Sequence, residues 1–218
     1  LDASTRDDGA VVITAVGTAT PAGLRRALDV DMVQRILDRT QGSLRYSANM
    51  TAQRGALTLQ ADSDLIGLTI DGIAPLRKAA GESLPLRFEK SIRGAQDELR
   101  VTAGRVLGVH IERRQSDAGM QLARGVIALN EPANLPERGL LVLVALPRIV
   151  VEAWADWLGI GAEPAAPRAP GASEGEVRLD HIALRTPELI LNNRSFRNVT
   201  LGATRTDAGG YDTNVVSD

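Results

Sequence analysis

The sequence predicts a mainly β protein built on an antiparallel, strongly twisted or curled sheet, a β-groove or partly open barrel, with about two short helical segments. Three observations predict it: apolar residues recur on every second position, helical spacing is confined to two stretches, and turn residues separate the alternating runs. The alternation is plainest from Ser43 to Gln53. There Leu44, Tyr46, Ala48, Met50 and Ala52 interleave with Ser43, Arg45, Ser47, Asn49, Thr51 and Gln53. Strands apolar on one side only belong to antiparallel sheets, whereas buried parallel strands read as continuous apolar runs.

Ala10 to Val16 reads as a first strand. Thr20 before Pro21 is a cap-plus-first-position helix start, and Leu24, Ala27, Leu28, Met32, Val33, Ile36 and Leu37 keep helical spacing up to Gly42. The helix is expected near 21–39, with a break at Asp29 to Asp31. Strands then run from Ser43 to about Val144, carried by Leu57, Leu59 and Ala61, by Ile66, Leu68 and Ile70, by Leu84, Leu86 and Phe88, by Leu99 and Val101, and by Leu107, Val109 and Ile111. Turns are expected at Arg54-Gly55, Asp71-Gly72, Arg93-Gly94 and Asp117 to Gly119. Ala74 to Ser83, with Pro75 and Gly81, reads as a loop or one helical turn.

Pro147 reads as the start of a second helix over 147–159, stopped by Gly159. Gly161 to Gly175 is rich in Ala, Pro and Gly and reads as a linker. Strands resume at Val177 to Leu184, Glu188 to Leu191, Phe196 to Ala203 and Tyr211 to Val215. The expected organisation is thus a β-rich segment over 1–160, a linker over 161–176 and further strands over 177–218 continuing the same array.

Composition removes several functions. The net charge of −2 over 218 residues gives no electrostatic reason to expect nucleic acid. Two each of Trp, Tyr and Phe leave little for base stacking. Cysteine is absent, which excludes disulfides, zinc-thiolate sites and cysteine nucleophiles. Lys78 and Lys90 are the only lysines, in an arginine- and alanine-rich composition typical of a GC-rich bacterial genome. The chain opens on Leu1, carries no signal peptide and has no apolar stretch long enough to span a bilayer, Leu140 to Leu146 being far too short. It reads as a piece of a longer chain that continues on both sides.

Catalytic material is scarce. His110 falls on the polar phase of its strand and reads as a sheet-face histidine. His181 follows Asp180, and neighbours on a strand point to opposite faces, so they form no catalytic pair. No nucleophile elbow, phosphate-binding loop, H-E-x-x-H or dinucleotide fingerprint occurs. Gly159-Ile160-Gly161 is a helix stop. Asp62 and Asp64 read as a solvated turn, lacking the glycine and terminal glutamate of a calcium loop, and Asp29 and Asp31 as helix caps. The Asn49, Asn193 and Asn198 sequons are chance matches, and Trp154 and Trp157 read as packing anchors. No enzyme activity, cofactor or metal site is expected.

Two stretches and a strand carry a family resemblance. Asp64 to Lys78, followed by Ala80-Gly81-Glu82-Ser83-Leu84-Pro85-Leu86, resembles the L-x-G-x-x-x-x-L-P-x-P-L-x-K and PL stretch of the YhdP family of AsmA-like, TamB-related bacterial envelope proteins. Gly42-Ser43-Leu44-Arg45-Tyr46 is similar to that family's L-x-G-x-x-x-Y step. Asn193 to Leu201 is similar to its G-R-x-F-x-N-L-x-L strand. The chain departs from the pattern at Ile73, where a first proline is usual, at Tyr211, where tryptophan is common, and in a longer Ala/Pro linker.

The resemblance implies a mostly periplasmic protein anchored in the inner membrane of a Gram-negative bacterium. It also implies an apolar β-groove that conducts or holds phospholipid between the inner and outer membranes. The residues agree in one respect: two helical segments cannot cover so many one-sided strands, so the sheet must fold on itself, dimerise or hold something apolar. Acyl chains suit an aliphatic lining with few aromatics and no fixed charge. Leu57, Leu59, Ile66, Leu68 and Ile70 are the candidate lipid-facing residues, chosen on alternation phase. The alternative is a non-catalytic structural or assembly module of the cell envelope that binds protein rather than lipid.

Overall fold

The computed structural model describes residues 1–27, 31–117, 119–159, 179–206, 208 and 210–218. The expected linker at 161–176, the start of the strand at Val177 and the capping residue Asp29 lie outside them. The chain divides into two compact units, Leu1–Val106 and Leu107–Asp218. Both are mainly β.

The first unit opens with β1 (Asp2–Thr5) and β2 (Val11–Ala19), followed by α1 (Pro21–Ala27), α2 (Asp31–Asp38) and the short β3 (Thr40–Gly42). Next come β4 (Leu44–Gln53), β5 (Ala56–Ser63), β6 (Leu68–Ile70), β7 (Leu86–Arg93) and β8 (Gln96–Ala103). An antiparallel ladder runs β1-β2-β4-β5-β7-β8, and β3 pairs with β6 in a separate two-stranded ribbon. Thr20 caps α1 as expected, its Oγ1 accepting the Gly23 N–H at 3.2 Å. The Arg54-Gly55 turn is present. So is the single turn in the 74–83 loop, where the Leu76 N–H donates to the Ile73 carbonyl at 2.7 Å.

One expectation is corrected here. Ile66 was read as sharing a strand with Leu68 and Ile70, but β6 begins only at Leu68, and Ile66 sits in a turn at 48% exposure. The cause is Leu65, whose φ of +53° turns the chain and buries its own side chain instead.

The second unit contains β9 (Leu107–Ser116), β10 (Gly119–Leu129), β11 (Gly139–Ala145), β12 (Arg148–Val150), α3 (Val151–Leu158), β13 (His181–Leu191), β14 (Arg194–Arg205) and β15 (Tyr211–Val216). The ladder runs β9-β10-β11-β13-β14-β15, with β12 also on β13. It is mixed: β11 is parallel to β10 and β13, and β12 is parallel to β13. The sheet is mostly antiparallel, as expected, and the parallel pairs of β11 and β12 in the middle of this unit are the exception. Residues 130–138 make the return that a parallel pair requires, and Ala133 lies over Gly108 of β9. Val126 and Ala128 of β10 are completely buried.

The helix expected from Pro147 begins later. Residues 148–150 extend as β12 against Glu188–Ile190, because main-chain pairing there outweighs the preference of proline for a first helical position. Gly159 does stop α3, in the left-handed region at φ 66°, its N–H turned back onto Ala155 and Asp156. The two strands expected on either side of Pro187 form one, β13. Pro187 offers no N–H, and it falls in the gap where the partner changes from β11 to β12. The buried Thr186 bridges the break, its Oγ1 donating to the Glu188 carbonyl at 2.8 Å and accepting from the Glu188 N–H at 3.2 Å.

Candidate functional site

The period-2 pattern of the first unit resolves into two faces once the register is known, because residues opposite each other on neighbouring strands share a face. One face is polar, bearing Arg45, Asp62, Arg87, Glu89, Glu98 and Arg100. The other carries Val11, Ile13 and Ala15 of β2, Ala48, Met50 and Ala52 of β4, and Leu57, Leu59 and Ala61 of β5. It continues through Phe88 and Ile92 of β7 to Leu99 and Val101 of β8. The result is one apolar field across five strands, interrupted only at Lys90 and Asp97. Its side chains are half-buried rather than enclosed, Leu57 and Leu59 among them. Leu24 of α1 packs at one end of this field, beside Tyr46 and Leu86, and the nearest backbone neighbours of α1 and α2 are each other and β3.

One end of the field is closed by a cluster of Leu44, Leu65 and Leu68, packed by Ala19, Leu24, Tyr46, Leu84 and Leu86. The residues behind two of the family resemblances meet here. Gly42 (φ +99°) and Gly67 (φ +94°) let the backbones of 42–43 and 67 touch. A Cβ on Gly42 would strike the Gly67 carbonyl, and one on Gly67 the Ser43 carbonyl. Lys78, 3% exposed, donates from Nζ to the carbonyls of Leu68 at 2.9 Å and Ala79 at 3.0 Å. Burial pushes its ammonium below the ordinary range, while Glu82 and Asp64 pull the other way. This motif is thus a structural knot at the end of the sheet, with a lysine as its tie.

The five candidate lipid-facing residues consequently separate. Leu57 and Leu59 lie side by side on the open field. Leu68 is 4% exposed inside the closed cluster. Ile70 pairs with Thr40 in the ribbon and bridges to Lys78, and Ile66 is on the turn. The lining is also not free of charge. Lys90 stands on the field between Leu59 and Leu99, and Asp97 stands beside Ile92, the two joined at 3.4 Å. They are the only charged residues among the inward positions of β2, β4, β5, β7 and β8. Alternation missed them because a run of apolar residues ends, by definition, where a charge begins.

The structure places the remaining residues singled out from the sequence as follows. Asp62 accepts from Gln60 Nε2 at 2.8 Å and faces Arg87 at 3.8 Å, while Asp64 accepts the Ile66 N–H at 2.9 Å as a turn cap. These line an open cleft of about 630 Å³ at the strand ends. Asp180 accepts the Leu140 N–H at 2.8 Å, whereas His181 meets Thr204 at 3.3 Å on the opposite face. Trp157 is buried and packs edge-on to Trp154 at 5.9 Å, as anchors do. Among the described residues no helix is long and apolar enough to cross a membrane.

The whole chain, residues 1–218, matches the YhdP protein family, and it belongs to that family of AsmA-like bacterial envelope proteins. No curated protein and no solved structure matches it.

Proposed function

We propose that this member of the YhdP family is a non-catalytic periplasmic segment that holds phospholipid acyl chains on the apolar field of its first unit. Its longer parent, anchored in the inner membrane, would conduct lipid between the two membranes along a curled groove. One observation carries the reading: an apolar field on β2, β4, β5, β7 and β8 whose side chains stay half-exposed, its only charges being Lys90 and Asp97 near the β7–β8 turn. Leaving that much apolar surface wet is costly, at about 25 cal/mol per Å². Acyl chains would supply the cover.

The alternative, an assembly module that binds protein, draws support from β15. This edge strand pairs only with β14 and leaves Tyr211, Val215 and Val216 exposed, a template for an added strand.

Phospholipid recovered by mass spectrometry from gently purified protein separates the two. Leu57→Arg can bury its stem on the field and carry its head to water, so the protein should stay folded, melt within a few degrees of wild type and lose lipid. Leu68→Arg places a charge in the closed cluster and should unfold the unit. Wild-type protein that carries no lipid would favour the module.

A further inference from the structure

We propose that Lys90 is a headgroup station on the apolar field, its ammonium taking the phosphate of a phospholipid whose acyl chains lie against Leu59, Phe88, Leu99 and Val101. The inference rests on the acyl-chain reading and adds to it the class of lipid. A charge pair on an apolar face costs desolvation that a hydrophobic pair would not, so its presence asks for a reason. The two partners are unequally placed. The Asp97 side chain is 7% exposed, while that of Lys90 is 33% exposed, so the charge offered to anything lying on the field is the cation. The 3.4 Å separation is longer than the 2.7–2.9 Å of a tight charge-assisted contact, and an ammonium has three donors, so capacity is left for a second anion.

Position fits as well. Lys90 and Asp97 lie toward the β7–β8 turn, away from the closed cluster of Leu44, Leu65 and Leu68. From Leu99, opposite Lys90, to Ala103 the field runs about 13 Å at the rise of a strand, close to half of a bilayer's roughly 30 Å hydrocarbon core. A lipid with its phosphate at Lys90 would therefore point its tails toward the closed end. On the polar face, by contrast, Arg87 stands with Asp62 and Glu89, and Arg100 with Glu98, each among carboxylates in open solvent.

The competing explanation is that the pair merely fixes the β7–β8 register, in which case its removal would change stability and nothing else. Binding of dioctanoyl phosphatidylglycerol, of dioctanoyl glycerol (the same chains without phosphate) and of glycerol phosphate (the phosphate without chains) to the 218-residue protein tells these apart. The wild type should hold the phospholipid about tenfold or more tighter than dioctanoyl glycerol, the value of one charge-assisted contact, and glycerol phosphate only feebly. Lys90→Met with Asp97→Asn removes both charges without stranding either; it should bind the two amphiphiles alike, and Lys90→Arg should keep the preference. Equal wild-type binding of the two amphiphiles would overturn the station while leaving the acyl-chain reading intact. So would a folded double variant that retains the preference, or glycerol phosphate binding as tightly as the lipid. Wild-type protein that binds neither amphiphile would end both.

Discussion

Single residues show most clearly what kind of information a sequence holds. Asn192 and Asn193 both adopt positive φ, 49° and 59°, and close the β13–β14 hairpin in the geometry that asparagine tolerates best. The sequon beginning at Asn193 is therefore a turn, and Asn198, also at positive φ (50°), marks the point opposite Pro187 where β14 adjusts. Gly42 and Gly67 were visible only as family letters; their function is a backbone contact between segments some twenty-five residues apart, which no local pattern reports. Lys78 was visible as a family letter and Lys90 only as a rare residue. One ties the knot and the other interrupts the field, and the difference lies in the register. Gly67→Ala tests the knot. Adding a Cβ there meets both an unfavourable φ and the Ser43 carbonyl, so it should cost about 2–4 kcal/mol in urea unfolding, against a few tenths for Gly81→Ala, where nothing lies within 4 Å. Equal effects of the two substitutions would refute a structural role for the Gly42–Gly67 contact.

Elements were legible in proportion to their one-sidedness. β4, β5 and β8 alternate cleanly and lie close to where alternation put them. β11 was legible as a strand but not as a parallel one, although Leu140-Leu141-Val142-Leu143-Val144 is the continuous apolar run that two-sided burial produces. What hid it is the return through 130–138, which contains no helix and so lacks the usual sign of a crossover. β1 escaped notice because Asp2–Thr5 is polar and exposed throughout. On β10 the register shifts between Leu122 and Arg124, a bulge that aims Arg124 at Glu112 with contacts of 2.7 and 2.9 Å. Hydrogen bonding from Arg124, aided by its charge and those of His110 and Arg114, holds the Glu112 carboxyl below its ordinary value of 4.5 against partial burial. A depressed folded-state value means that this stabilisation is complete above pH 4.5 and is lost as the pH falls through the lower folded value. Arg124→Met should therefore remove part of the acid sensitivity of the second unit, and the melting temperatures of variant and wild type should converge as the pH drops below about 4. A constant gap between the two down to pH 2 would show that the pair contributes nothing through charge.

At the scale of the molecule the decisive quantity is apolar surface set against cover. With a net charge of −2 and ion pairs mostly in solvent, electrostatics gives no reason to expect a polyanion and adds little to stability. On the acyl-chain reading the field on β2, β4, β5, β7 and β8 is covered by something apolar, and the candidate covers differ in what removes them. If acyl chains are the cover, stripping the lipid leaves a wet aliphatic face that binds anilinonaphthalene sulfonate or a second copy of itself at micromolar concentration. Dodecyl maltoside, an uncharged amphiphile, should then return the stripped protein to a monomer and displace the dye. Raising the salt from about 0.05 to 0.5 M should not dissociate it, because burial of aliphatic surface is insensitive to screening that would abolish exposed charge contacts. If stripped protein remains monomeric and dye-free without detergent, the field is covered within the fold itself, and the lipid-holding function falls with it.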